Sequence, residues 1–242
     1  MKIGIIGVGE IGTALKKCYI ENGYDVGCKD LHYSDDIYNC VFLNICIPYS
    51  DTFIITVINY IKEYKPENVI IHSTVKPGTT SSIIKQSGNK NIVHSPVNGV
   101  HPNLYEGLIT FKKFIGSDDE VVGNKVIKHF KSIGIDARLL GNCKTTEMAK
   151  ILCTTYYGMC IAWHNEINKV CKENGLDYSK VMTEWNMNYN AGYAKLNKSN
   201  VNRPVLYPPE NEKIGGHCVI PNAEICKTVF NSPVLDFILK LK

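Results

Sequence analysis

Arginine is nearly absent from this chain: of 27 basic residues only Arg138 and Arg203 are arginine. The net charge of +4 is spread along the sequence, with no dense Lys/Arg run. That distribution argues against a nucleic-acid partner. No apolar stretch approaches the ~20 residues of a membrane span, and the glycine-broken opening MKIGIIGVGE does not read as a secretory signal. Cys-x-x-Cys pairs are missing too. The ten cysteines lie scattered in apolar segments, the usage expected of free thiols in a reducing compartment, so the reading is cytoplasmic, with neither disulfides nor a metal site. Internal repeats and low-complexity tracts are also lacking. What remains is an ordinary globular composition, 44% hydrophobic over 242 residues, enough for one large domain or a standard domain plus a smaller one.

The first 140 residues alternate short β-like runs with helical ones. KIGIIGV, YDVGCKD, NCVFLNICIP, NVIIHST, NIVHSP, KKFIG and IDARLL read as strands. EIGTALKKCYIENG, TFIITVINYIKEY and EVVGNKVIKHFKSIG read as helices, the last with Ser117 and Glu120 as a capping box. This alternation predicts an α/β, Rossmann-type doubly wound parallel sheet. From about Thr145 to Gly175 apolar residues recur every three or four positions (Met148, Leu152, Tyr156, Met159, Trp163, Ile167, Val170). This predicts one helix longer than is usual in globular domains, suited to crossing between domains or pairing with a second copy. The expected layout is a dinucleotide-binding domain over 1–142 and a small helical substrate and dimerisation domain over 143–242.

GVGEIG places Gly7, Gly9 and Gly12 directly between a strand and a helix. The first glycine suits a tight turn, the second lets a pyrophosphate approach the backbone, and the third lets helix and strand pack closely. The helix N-terminus then faces the phosphates. Glu10 and Ile11 complete the turn, and Asp30, at the end of the next strand, is placed to bind both ribose hydroxyls, which favours NAD over NADP. Lys29 beside it weakens that preference. Pro48 and Thr74, after later strands, are further candidate cofactor contacts.

Several motifs in order resemble the UDP-glucose/GDP-mannose dehydrogenase family, within the wider 6-phosphogluconate/β-hydroxyacid dehydrogenase-like superfamily. They are NICIP at 44–48, HSTVKPGTT at 72–80, TEMAKILCTTYYGMCIAWHNE at 146–166 and NRPVLYPPENEKIGGHCVIPN at 202–222. The resemblance implies an NAD-dependent oxidation of a sugar-derived alcohol, in two steps through a thioester. It implies Cys218 as nucleophile and Lys150 as the group that stabilises an oxyanion and moves protons. Arg203, Asn98, Thr154, His217 and Asn222 would contact substrate. The sequence departs from the family where Val97 replaces an acid, Thr154 an asparagine and Asn222 an aspartate. It is also expected to lack the family's third, nucleotide-gripping domain, because it ends soon after Cys218.

Two other readings stand beside this one. HSPVNGV at 94–100 and KILCTT at 150–155 resemble β-hydroxyacid dehydrogenases, which transfer one hydride with a lysine and no cysteine. There Lys150 would act alone, with Ser95, Asn98 and Gly99 binding a small hydroxy acid. The third reading is a non-catalytic NAD-binding module. A small-molecule substrate and a homodimer complete the expectation.

Overall fold

The computed structural model describes residues 1–208, 211–215 and 218–242. The chain divides into two compact units, Met1–Lys150 and Ile151–Lys242.

The first unit is built on a five-stranded, all-parallel sheet in the order β2-β1-β3-β4-β5. Its strands are β1 (Lys2–Ile6), β2 (Asp25–Lys29), β3 (Phe42–Ile45), β4 (Asn68–Ile71) and β5 (Ile92–His94). Strands buried on both faces need apolar side chains on both, and β3 and β4 are buried at every position. Alternate residues serve opposite layers. Ile3, Ile5, Phe42, Ile70 and Val93 join one core with helices α1 (Glu10–Glu21) and α5 (Glu120–Lys131). Ile6, Leu43, Ile45, Val69 and Ile71 join the other, with α2 (Phe53–Tyr64) and α3 (Thr79–Ser87). Each such aliphatic side chain, fully buried, contributes about 1.5–3 kcal/mol. The sheet is thus doubly wound, as the strand–helix alternation predicts.

Three local features differ from the sequence expectation. KKFIG and IDARLL do not extend the main sheet. They form a separate parallel pair, β6 (Lys113–Ile115) and β7 (Ala137–Leu139), joined to β5 by one antiparallel bridge between His94 and Gly116. Helix α5 is capped by Asp119, whose carboxylate accepts from Val121 N and Val122 N, while the Ser117 hydroxyl donates to Asp119 O. A carboxylate at the N-cap satisfies two amide donors at once and displaces the expected Ser117 box. Helix α4 (Leu104–Thr110), seven residues long, lies outside the helices expected from the sequence. It docks through glycines: a Cβ on Gly107 would lie 2.6 Å from Gly99 Cα.

Helix α6 runs from Cys143 to Glu173, 31 residues, and the division between the units falls within it. Its first turns are seated on unit 1. Glu147 is fully buried, and its carboxylate accepts from Gly78 N at 2.5 Å and Thr80 N at 2.8 Å. Those amides open α3, whose N-cap Gly78 has no side chain to satisfy them. An anion there also meets the helix's positive end.

The second unit holds the rest of α6, helices α7 (Glu184–Lys195), α8 (Val219–Lys227) and α9 (Pro233–Leu239), and a π-helical turn over Ser179–Thr183. Gly158 is its packing centre, because a Cβ there would lie 2.4 Å from Val219 and 3.4 Å from Ile238. The apolar stripe that marks α6 in the sequence is not this core. Leu152, Tyr156, Trp163 and Val170 are 41–57% exposed, and the buried apolar side chains of this part of α6 are Ile151, Cys160, Ala162 and Cys171.

Replacing Glu147 with alanine is expected to lower stability by about 2–4 kcal/mol, since two buried amides lose a charged partner. Urea denaturation of the purified variant measures this, and a loss below about 1 kcal/mol would contradict the role given to Glu147.

Candidate functional site

In an open parallel sheet, ligands bind beyond the carboxyl ends of the strands, where strand order reverses. Here β1 is followed by β2 on one side and β3 on the other, so the reversal lies between β1 and β3. The glycine turn follows β1 there, and Cys46 N donates to Ile6 O across it.

The three glycines have different physical reasons. Gly7 has φ +86°, and a Cβ would meet Cys46 O at 2.9 Å. A Cβ on Gly12 would lie 2.0 Å from Gly7 O, so only glycine lets α1 lie this close to the turn. Gly9 meets no such limit: its backbone is extended and nothing lies within 4 Å of the Cβ position. Gly9 is also the N-cap of α1, with no side chain over the helix end. Open space and uncapped amides at this point fit a phosphate-bearing cofactor.

Asp30 sits just beyond β2, half-buried. Its carboxylate accepts from Val8 N at 2.5 Å and Leu31 N at 2.6 Å, and these backbone donors hold its pKa below the ordinary value. Asp30 therefore fixes the glycine turn and remains an anion at its mouth. Glu10 is exposed in the first turn of α1, and its carboxylate is engaged by His101 Nδ1. Ile11 packs partly buried against the core. Pro48 is exposed after β3 and Thr74 half-buried after β4, both beyond the carboxyl edge of the sheet.

Lys150 reaches the same edge, at the end of β5. Its ammonium donates to Val97 O at 2.7 Å, where the resemblance places an acid. Val97 itself is buried, and the loop offers its carbonyl instead of a carboxylate. Nearby, His94 is fully buried, and desolvation pushes its pKa down to about 3, so it is neutral. Its Nε2 lies 3.1 Å from Ser73 O and its Nδ1 2.8 Å from Thr146 Oγ1. A carbonyl can only accept, so the proton is on Nε2 and Thr146 donates to Nδ1. Asn98 is half-buried and Gly99 exposed. Ser95 is fully buried and its hydroxyl donates to Phe114 O, which turns it away from any substrate.

The sequence reading missed Lys113. It is buried, and its ammonium donates to Ser95 O at 2.9 Å and Pro96 O at 3.2 Å. In the sequence it is one of two adjacent lysines, and only strand alternation along β6 separates the inward Lys113 from the exposed Lys112.

In the second unit Cys218 is half-buried at the N-cap of α8, and its carbonyl accepts from Asn222 N. Asn222 is buried. Thr154 is half-buried on α6. Arg203 is exposed, with its guanidinium 3.8 Å from the Tyr189 ring centroid. The Asn190 side chain fixes the Arg203 backbone, accepting from its N–H and donating to its carbonyl. His217 lies outside the described residues. All ten cysteines are free thiols, and among the described residues no His, Cys, Asp and Glu group is placed to hold a metal.

Residues 144–221 match the UDP-glucose/GDP-mannose dehydrogenase family, central domain, a segment that contains both Lys150 and Cys218. Over that segment the chain is similar to that family. It is 28% identical over 173 residues to a UDP-N-acetyl-D-mannosamine dehydrogenase of Methanocaldococcus jannaschii, covering 69% of this chain and 37% of that protein. The curated relatives it matches are thus spanned over little more than a third of their length. In fold it is similar to a UDP-D-ManNAc dehydrogenase of Pyrococcus horikoshii, with TM-score 0.80 and 18% identity over 100% of this chain and 68% of that one. It is also similar to a 3-hydroxyisobutyrate dehydrogenase of Mycobacterium tuberculosis, with TM-score 0.73 and 13% identity over 99% and 91% of the two chains.

The glycine geometry separates binding from folding. Gly9→Ala should leave stability within about 0.5 kcal/mol while weakening NADH binding at least roughly tenfold, read by fluorescence titration. Gly12→Ala should cost about 2–4 kcal/mol of stability through overpacking. A Gly9→Ala protein that binds NADH normally would remove the phosphate role of the turn.

Proposed function

We propose that the chain is an NAD-dependent dehydrogenase that oxidises a sugar-derived alcohol, its work done at the carboxyl edge of the parallel sheet. The observation that carries this reading is Lys150, anchored on Val97 O at the same edge as the bare Gly9 turn. NAD bound there would supply the hydride acceptor. Gly7, Gly9, Glu10, Ile11 and Gly12 would seat its pyrophosphate, Asp30 its ribose, and Pro48 and Thr74 its nicotinamide half.

Lys150 would take the proton of the substrate hydroxyl as the hydride leaves the same carbon. The Val97 carbonyl orients the Lys150 nitrogen for that work. For a second oxidation, Cys218 as thiolate would add to the aldehyde carbon, giving a thiohemiacetal whose loss of hydride leaves a thioester, and water would release the acid. A helix N-cap favours the thiolate that this step needs. Asn98, Thr154, Arg203, His217 and Asn222 would hold the substrate, with Tyr189 and Asn190 orienting Arg203. The names of the sequence relatives favour UDP-N-acetyl-D-mannosamine as the first substrate to try.

The single-hydride reading would use Lys150 alone on a hydroxy acid, but the buried, bonded Ser95 removes one of its three binding groups. A binding-only module would bind NADH without turnover. In keeping with a cytoplasmic enzyme, no helix among the described residues is long and apolar enough to cross a membrane. The exposed α6 stripe supports a homodimer.

NADH yield per molecule of UDP-N-acetyl-D-mannosamine, and of 3-hydroxyisobutyrate in parallel, decides among these. The two-step reading expects two NADH from the sugar nucleotide, all lost in Lys150→Ala and reduced to one or none in Cys218→Ser. One NADH from the hydroxy acid, with Cys218→Ser fully active, would establish the single-hydride reaction instead. For the dimer, Trp163→Glu should shift sedimentation from dimer to monomer at micromolar concentration, and a monomeric wild type would remove that part.

A further inference from the structure

Two lysines hold three consecutive carbonyls of one loop. Lys113 donates to Ser95 O and Pro96 O from beneath, and Lys150 donates to Val97 O from α6. We propose that Lys113 is a positioning residue: it sets the 95–99 loop and, through Val97, the anchor of Lys150. The proposal rests on the catalytic reading of Lys150 given above, while the placement of the loop by Lys113 stands apart from it.

The surroundings of Lys113 explain why its amine is placed here and why it is unusual. The Ser95 and Pro96 carbonyls turn inward to the buried Lys113 nitrogen. Lys113 is the inward residue of β6, and an ammonium can satisfy several carbonyls at once. No anion faces it. Cys18 on α1 and Cys46 after β3 have pKa values raised by burial and are neutral thiols. His72 after β4 and His94 on β5 are held neutral by burial, and the Phe130 ring of α5 lies 5.3 Å from the ammonium. Lys150 is a second cation acting on it. Desolvation, with that repulsion, lowers the Lys113 pKa from 10.5 to about 7. Above the loop, α4 closes the site through the Gly99–Gly107 contact. A crevice of about 10 Å³ is lined there by Asn98, Gly107, Leu108, Phe111, Lys112 and Lys113.

The sign of the pH effect follows. With the loop closed, Lys113 holds its proton only to about pH 7. With the loop open and Lys113 wetted, it holds the proton to about pH 10. Opening therefore takes up a proton between these values, and closure tightens with rising pH by up to about tenfold per unit. The loop is loosest below pH 7. A residue that merely fills space gives no such slope.

The test is amide hydrogen exchange by mass spectrometry on the whole protein without ligands, from pH 6 to 9, corrected for intrinsic rates. Peptides covering 94–111 report the loop and α4, and those of β1 report global unfolding. In wild type, protection of 94–111 should rise at least about tenfold between pH 7 and 9, through openings that low urea does not promote. Lys113→Met should exchange faster there, with a flat profile. Lys113→Arg, charged throughout, should also be flat while keeping more protection than Lys113→Met. A flat wild-type profile, or 94–111 exchanging only together with β1, overturns the proposal even if no variant folds. Because this readout needs no substrate, absent turnover would remove the enzymatic reading and leave the loop result standing. Where turnover is found, Lys113→Met should lower kcat at least about tenfold with NADH affinity within about twofold, and Lys113→Arg should restore part of it. Unchanged kcat in a folded Lys113→Met would end the link to Lys150.

Discussion

The start of helix α6 is tied down at three successive points, and the candidate chemistry of the first unit depends on that attachment. Thr146 donates to His94, Glu147 accepts from the amides that open α3, and Lys150 donates to Val97 O. Thr146 and Lys150 are four residues apart and so share a helix face, with Glu147 three residues before Lys150. The helix comes close enough because Gly116 has no side chain: a Cβ there would sit 2.2 Å from Thr146 Oγ1. A lysine on a freely swinging helix end would be a solvated cation. The same lysine on a helix locked to β5 and to the opening of α3 has a fixed address at the edge of the sheet.

Backbone dipoles hold the charged groups of this region. Glu147 is held by amide N–H groups, and Lys113 and Lys150 by carbonyls, while His72, His94 and His129 are kept neutral by burial. A buried ion pair would bring a large desolvation cost and would be strongly destabilised by losing either partner. Backbone partners are set by the fold and survive side-chain substitution. Val97 can therefore stand where the resemblance places an acid, because the carbonyl of residue 97, which any side chain leaves in place, accepts from Lys150.

Much of the fold was legible because the physics is local. The glycine turn could be read residue by residue, since each glycine answers to a separate constraint, and the two-sided strands announce themselves as continuous apolar runs. Helices α3 and α4 were not legible. One follows a Pro-Gly turn and takes its N-terminal partner from Glu147, 69 residues away, and the other docks by a glycine–glycine contact that no periodicity records. The α6 stripe was read correctly as helix, but the face that packs within the second unit was not legible, because Gly158 contributes nothing to an apolar count. Lys113 was hidden for a related reason: next to Lys112 it resembles a solvated pair, and only the register of β6 turns one of them inward.

The candidate chemistry divides along the same line as the chain. Removal of a hydroxyl proton calls only on groups of the first unit: the turn that suits a dinucleotide, and Lys150 with its carbonyl anchor. Capture of an aldehyde calls on Cys218, which belongs to the second unit and owes its setting to the start of α8. The departures from the family also differ in weight. Val97 leaves the anchoring of Lys150 intact, because the backbone performs it. Asn222 replaces a charged carboxylate by a neutral amide, one turn into the helix that Cys218 begins, and no backbone group substitutes for that charge. The candidate steps are therefore unequal: deprotonation of a hydroxyl would draw on constraints of the fold itself, whereas a thioester step would draw on individual side chains.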